Sequence, residues 1–251
     1  MKTAVLLKQV PDTETRIVIN AAKTDIEEGA VKFVISPFDE FAVEEAIKIG
    51  GETCVISLGP ERCMEAIRTA LAMGIDKAIH IDSAGKKYDS LQTATILAAV
   101  IKEKGFDLIL CGKQAIDGDN GQVPPMVAEL LGIPQVTVIE KLEISGDKAK
   151  IVRRVGGGAK EIYSSGFPLV LSCEKGLNTP RYASLPGIMK AKSKPVEKKK
   201  ADELLGGMNA CVTFTNYSLP PERSGCQMIA GEPAEQAAQL VKLLREEAKV
   251  I

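Results

Sequence analysis

Short apolar runs alternate with longer amphipathic ones along the first half of the chain. Residues 2–9 (KTAVLLKQ), 53–58 (TCVISL), 77–81 (KAIHI) and 107–111 (DLILC) are brief and almost continuously apolar. That pattern predicts strands of a parallel sheet covered on both faces. Between them the spacing turns helical. Ser36-Pro37-Phe38-Asp39 predicts a helix start, with Ser36 at the N-cap, proline at the first helical position and an acid two residues later. Phe38, Ala42, Ala46 and Ile49 then recur at helical spacing, with Phe41 and Ile47 alongside. Gly59-Pro60 predicts the next helix, stopped by Gly74, and Asp89 the one after, stopped by Gly105.

After Pro134 the period changes. Residues 135–145, 148–155 and 161–163 are strand-like and alternate more, with Gly146-Asp147 as a hairpin turn. A buried strand is expected over 168–173. A proline-punctuated segment at 178–189 and a lysine-rich stretch come next, and then a tail with a final helix over 233–249. That helix carries one apolar stripe through Ala237, Leu240, Val241 and Leu244. The expected fold is α/β: a Rossmann-like parallel sheet with helices on both faces, of the adenine-nucleotide-binding type, plus a C-terminal arm with a helix. The expected division is an α/β domain over 1–190, a lysine-rich linker over 191–203, and the arm and helix over 204–251.

Open α/β sheets take ligands at the carboxyl ends of their strands. Three loops fall there: the segment after Gln9, the Leu58-Gly59-Pro60 turn, and residues 111–123. The last belongs to a strand, loop and helix unit, LILCGKQAIDGDNGQVPPMVAELLGIP. Backbone amides at such a loop and helix start can face phosphate oxygens, and Asp117 and Asp119 offer acceptors to ribose hydroxyls. An Asp/Gly string also serves as a plain tight loop and N-cap. Lys8 and Gln9 end the first strand, where polar groups meet either ligand or solvent. Neither the P-loop pattern nor the dinucleotide glycine fingerprint is present. Gly156-Gly157-Gly158 lies between strand-like segments and reads as a turn.

Composition narrows the function. A net charge of −1 gives no reason to expect nucleic-acid binding, and with no Trp, base-stacking platforms are not expected. The six cysteines form no Cys-x-x-Cys pair and the sole histidine is His80. No zinc or iron–sulfur site is therefore expected, and the cysteines read as buried free thiols. With a single histidine on an apolar strand, no Ser-His-Asp or Cys-His set can be assembled, which points to a binding or carrier protein. No apolar run approaches a bilayer span, and the N-terminus reads as a strand rather than a signal or transit peptide. The chain is expected to be soluble and cytoplasmic, with no membrane insertion. The lysine run reads as a solvated strip, but the apolar residues just before it either fold back on the core or dock on a partner.

The strings KQVPDTE, SPFDEFAVEEA, SLGPERCMEAIRTALAMGID, CGKQAIDGDNGQVPP, NTPRYASLPGIMKAK and PPERSG, in this order, carry a resemblance. Over nearly its whole length the chain resembles the beta subunit of electron-transfer flavoproteins. The resemblance implies a heterodimer with an alpha subunit, whose FAD at the interface carries electrons between a dehydrogenase, such as an acyl-CoA dehydrogenase, and an acceptor. It also implies a nucleotide in this subunit: AMP, or a second FAD in members that bifurcate electrons from NADH.

Carried over, the nucleotide contacts are Leu6, Lys8, Ser36, Pro37, Phe38, Asp39 and Leu58, with Ser90 and Thr93 at a helix start. They continue through Cys111, Gly112, Lys113, Gln114, Asp117, Gly118, Asp119, Asn120, Gly121, Gln122 and Val123. Asp117-Gly118-Asp119 and Gln122-Val123 resemble the bifurcating pattern and favour FAD. Asn120-Gly121, Pro124 and Ser90 depart from it. Segment 178–190 matches the family's partner-recognition loop, with Tyr182, Leu185, Pro186, Ile188 and Met189 docking and Leu185 as anchor. Two other classes fit the scaffold: a non-redox, universal-stress-like nucleotide binder, and an adenylate-forming or ATP-pyrophosphatase enzyme. The missing phosphate loop argues against the last.

Overall fold

Successive residues of each apolar strand bury against opposite faces of one sheet in a computed structural model of the chain, which describes residues 1–222 and 225–251. Val5 and Val55 pack on one face, while Ala4, Leu6, Cys54 and Ile56 pack on the other. The strands are β1 (Lys2–Leu6), β4 (Glu52–Gly59), β5 (Lys77–Asp82), β6 (Leu108–Gly112) and β10 (Leu169–Cys173), with β2 (Gln9–Pro11) and β3 (Phe33–Ile35) pairing apart as a short antiparallel ribbon. The remaining strands are β7 (Gln135–Ser145), β8 (Lys148–Arg154), β9 (Lys160–Gly166) and β11 (Val196–Lys200). The nine-stranded sheet runs β11-β5-β4-β1-β6-β10-β7-β8-β9. Only the β7-β8-β9 meander departs from parallel pairing. Its first turn is made by Gly146 at φ 60°, as the hairpin reading requires. Residues 156–158 form a single 3₁₀ turn between β8 and β9.

The chain leaves β1 for β4 and β5 on one side, then returns to place β6 on the other side of β1. Strand order therefore reverses between β1 and β6, and the crevice of such a sheet opens there. Helices α1 (Pro37–Ile49), α2 (Cys63–Met73) and α5 (Leu185–Ala191) cover one face. Helices α3 (Ser90–Lys104), α4 (Val123–Leu131) and α6 (Ala201–Leu205) cover the other. Asp89 and Gln92 form a capping box at the start of α3, and Gly74 and Gly105 end α2 and α3.

Four expectations change. The α1 stripe is Ala42, Val43 and Ala46 with Asp39, Glu44 and Glu45 buried beside it, whereas Phe38 is only half-buried. Helix α2 begins at Cys63, because Pro60 to Arg62 are spent in the preceding turn. The stretch 191–203, expected as a linker, contains β11 and the start of α6; β11 lies parallel to β5 from Val196↔Ala78 to Lys200↔Asp82. A charged strand is tolerated at that place because it is a sheet edge. Cys54, Cys63, Cys111 and Cys173 are buried free thiols, but Cys211 and Cys226 are exposed.

By contacts the chain divides into Met1–Thr215 and Asn216–Ile251. In the second unit, α7 (Pro233–Glu246) is an amphipathic helix with Leu240 and Val241 exposed. Part of the PPERSG string, Arg223 and Ser224, lies outside the described residues. Among the described residues no helix is long and apolar enough to cross a membrane.

Candidate functional site

Where β1 and β6 part, their backbones turn to other partners. The Leu7 amide donates to Ile56 O at 2.9 Å, towards β4, and the Lys113 amide to Cys173 O at 3.0 Å, towards β10. The amides of Lys8 and Gly112 flank the split. Both donate to one carboxylate: Lys8 N to Asp39 Oδ2 at 2.8 Å and Gly112 N to Asp39 Oδ1 at 2.7 Å. Asp39 stands in the first turn of α1, so this helix start is tied to both strands at the crevice floor. It is 6% exposed. Burial pushes its pKa up to about 7, against the two amide hydrogen bonds and the Lys8 charge, which favour the anion. Gly112 is required at its place, since a Cβ there would lie 2.6 Å from both Asp39 Oδ1 and Phe38 Cβ.

The loop from Lys113 to Gln122 rises from this floor. Lys8 Nζ reaches Asp117 at 2.7 Å, and Gln114 donates to Asp119 Oδ1 at 2.8 Å. Lys113 pairs with Glu174 at 2.7 Å and lies 4.6 Å from the centre of the Phe38 ring. Asp119 and Gly121 both have positive φ, 50° and 61°, which folds the loop back on itself. Gly118 differs from these. Its φ is ordinary, and a Cβ would meet nothing nearer than Asn120 Nδ2 at 3.6 Å. The fold does not need a glycine there, and the space beside its backbone is open.

Ser36 occupies the N-cap of α1, but its hydroxyl makes no cap hydrogen bond. That oxygen is buried without a partner among the described residues. A buried hydroxyl without a partner is costly unless a ligand or water meets it. Asp117, Gly118, Asp119, Asn120 and Gln122 are exposed beside it at the strand ends.

The other predicted contacts divide. Pro37, Leu58 and Val123 are half-buried at the same ends of their elements. Leu6 and Cys111 are core residues, and the Cys111 thiol faces Leu171 O at 3.5 Å, its pKa driven up by burial. These two can offer a ligand only their backbone. Ser90 and Thr93 are half-buried at the start of α3, which packs on α4. The carboxylate of Asp89 beside them also holds the amides of Cys211 and Val212, at 2.6 and 3.1 Å.

The proline-punctuated segment is exposed and apolar. Tyr182 is 98% exposed, Leu185 80% and Met189 65%. Ile188 and Pro186 are exposed beside them. Beneath this apolar tip the backbone is fastened. Arg181 grips Glu44 through two nitrogens, at 2.8 and 2.9 Å, and Asn178 bonds Phe41 O and Glu45. Ser184 caps α5, and a Cβ on Gly187 would lie 2.3 Å from Ala72 O, so α5 presses on the end of α2. Lys194 caps that same end through Leu71 O and Ile75 O. Glu44, Glu45 and Lys194 were missed as anchors. The sequence shows only two adjacent acids, Glu44 and Glu45, and their burial on α1 is what marks them as anchors.

The electron transfer flavoprotein domain model matches residues 24–204. Over the full length of both chains, this chain is 44% identical to the electron transfer flavoprotein subunit beta of Bacillus subtilis. It is 38% identical to the mouse subunit beta, covering 100% of this chain and 99% of that one. The mitochondrial subunit beta of Arabidopsis thaliana is 37% identical over the whole of both chains. The chain belongs to the electron transfer flavoprotein family, as a beta subunit. The family model covers β6, the 113–122 loop and the exposed tip, and the full-length relatives also cover β1 and Lys8. It does not favour a universal-stress-like binder.

Proposed function

We propose that this beta subunit holds an adenine nucleotide at the split between β1 and β6, pairs with an alpha subunit, and relays electrons between a dehydrogenase and an acceptor. One observation carries the nucleotide reading. The strand order reverses where Asp39 floors a crevice, beside a buried unpartnered Ser36 hydroxyl and a glycine, Gly118, that the fold does not require. Ser36, Asp117, Asp119 and the backbone of 118–122 would hold the nucleotide. Lys8 and Gln114 orient the two aspartates. The open backbone at Gly118 suits the close approach of a pyrophosphate and favours FAD over AMP. A flavin bound there would supply reversible electron uptake, with NADH as a candidate reductant. The chain's own part is to bind, orient and exclude water.

The exposed tip led by Leu185 supports docking on the dehydrogenase, since an apolar anchor on a fastened base loses little ordering entropy on binding. Steering of an acidic partner falls to Lys190 and Lys192, which are exposed. Lys198 and Lys199 are paired with Glu61 and Glu103.

The test is to purify the chain with its alpha partner and count released FAD and AMP. Two FAD per heterodimer support the reading, and one FAD with one AMP supports it in its AMP form. A colourless complex without nucleotide would sink it. Asp119→Ala with Gly118→Val is expected to empty the beta site while the interfacial flavin stays.

A further inference from the structure

We propose that Asp39 is a positioning residue whose ionised carboxylate holds the crevice between β1 and β6 in its nucleotide-binding form. The proposal rests on the nucleotide reading above and assigns Asp39 no direct contact with ligand. Both carboxylate oxygens are acceptors, and both face backbone donors, Lys8 N and Gly112 N. The β1–β6 ladder ends at Leu6↔Cys111, and these two amides lie just beyond it, where the strands no longer bond each other. Beyond the ladder Asp39 bridges the two backbones, and the loop residues stand on the backbones it joins. Lys8 carries Asp117 through its side chain, while Gly112 leads directly into Lys113 and Gln114.

Protonation leaves the pair one strong acceptor instead of two. Asparagine does the same, and sets an NH₂ donor against one of the amides. The groups that face Asp39 electrostatically are Lys8 and Asp117 above it, Cys111 on β6 and Cys173 on β10. Lys8 draws the anion on and Asp117 opposes it, while the two thiols are held neutral by burial.

Folding and binding then respond to pH in opposite directions. Asp39 has its pKa raised by burial from 3.8 to about 7, so its contribution to folding is full below the lower value and is lost as pH rises through about 7. Its hold on the crevice is present above about 7 and lost as pH falls through it. A residue acting only through general stability would move both quantities the same way.

The experiment uses the heterodimer stripped of its beta-site nucleotide, with AMP and FAD as separate probes, titrated through about pH 7. FAD is the cleaner arm, because its pyrophosphate does not titrate in this window whereas the AMP phosphate ionises near pH 6. Wild-type affinity is expected to fall about tenfold on acidification, a difference of about 1.4 kcal/mol. Asp39→Asn is expected to bind about tenfold more weakly at high pH and to show no pH step. Equal affinity and an unchanged pH profile in Asp39→Asn would overturn the clamp and leave the site reading standing. Failure of the wild type to bind either probe at any pH would overturn the site reading itself. Should Asp39→Asn not fold, the wild-type profile decides: a flat one overturns the clamp and a step near pH 7 supports it.

Discussion

The crevice at the β1–β6 split and the tip around Leu185 are built on opposite plans. In the crevice nearly every polar side chain is already paired within the protein: Asp39 with two amides, Lys8 with Asp117, Gln114 with Asp119 and Lys113 with Glu174. Among the described residues, what this leaves towards the opening is backbone, the Ser36 hydroxyl, the exposed Asn120 and Gln122 and open space beside a glycine. At the tip the pairing lies underneath, in Arg181, Asn178 and Lys194, and the side chains above it are apolar and exposed. The first plan suits a small polar ligand that needs fixed donors and acceptors. The second suits a macromolecule that can supply a pocket. Both are fastened from beneath by polar pairs, so fastening is common to them and the polarity of the exposed groups is not.

Substitutions can break this contrast, and the largest effect is expected at Gly112. A valine there would drive atoms into Asp39 and into Phe38, whose backbone carbon lies 2.7 Å from the Cβ position. Overpacking of that kind costs about 3 kcal/mol. Thermal melting should drop by several degrees and the beta-site nucleotide should be lost together with it. Retention of both would mean that the crevice floor is softer than drawn.

Leu185→Ala should separate the two regions. Removing an exposed anchor leaves melting temperature and nucleotide content as they are. Electron transfer from the dehydrogenase should slow about thirtyfold, matching about 2 kcal/mol of lost docking. An unchanged rate would remove Leu185 as an anchor. Gly118→Val is the crevice counterpart: melting unchanged, nucleotide affinity down about tenfold. Unchanged affinity there would mean that the open space beside Gly118 has no ligand in it.

These two regions were not equally legible in the sequence. The apolar runs locate most of the parallel strands, and Gly74 and Gly105 mark where α2 and α3 stop, because those signals are local. The tip was visible as apolar residues without a periodic partner. The role of Asp39 was not visible: as a sequence feature it is an acid in a first helical turn, and its second amide lies 73 residues away. Strand β11 was hidden because only Val196 and Lys199 in it are even half-buried, so no alternation shows. Its lysines pair with acids on α3 and near α2, contacts that a charge run does not reveal. Glu44 and Glu45 were read past for a related reason: charge on a helix normally marks the solvent face.

The smallest effect is expected where the tip joins its base. Glu44 is 5% exposed, but Arg181 is half in solvent, so the pair is screened and is worth about 1 kcal/mol or less. Arg181 holds the Glu44 carboxyl below the usual glutamate range. A depressed carboxylate contributes stability above its unfolded pKa of 4.5 and loses it as pH falls through the lower folded value. A double-mutant cycle on Glu44→Gln and Arg181→Ala should therefore give a coupling of about 0.5–1 kcal/mol at neutral pH, vanishing in acid. Melting should move by only about 1–4 °C, while dehydrogenase turnover should slow about threefold because Leu185 is presented less firmly. A coupling that persists in acid, or turnover that follows melting alone, would show that the base holds the domain together and does not aim the tip.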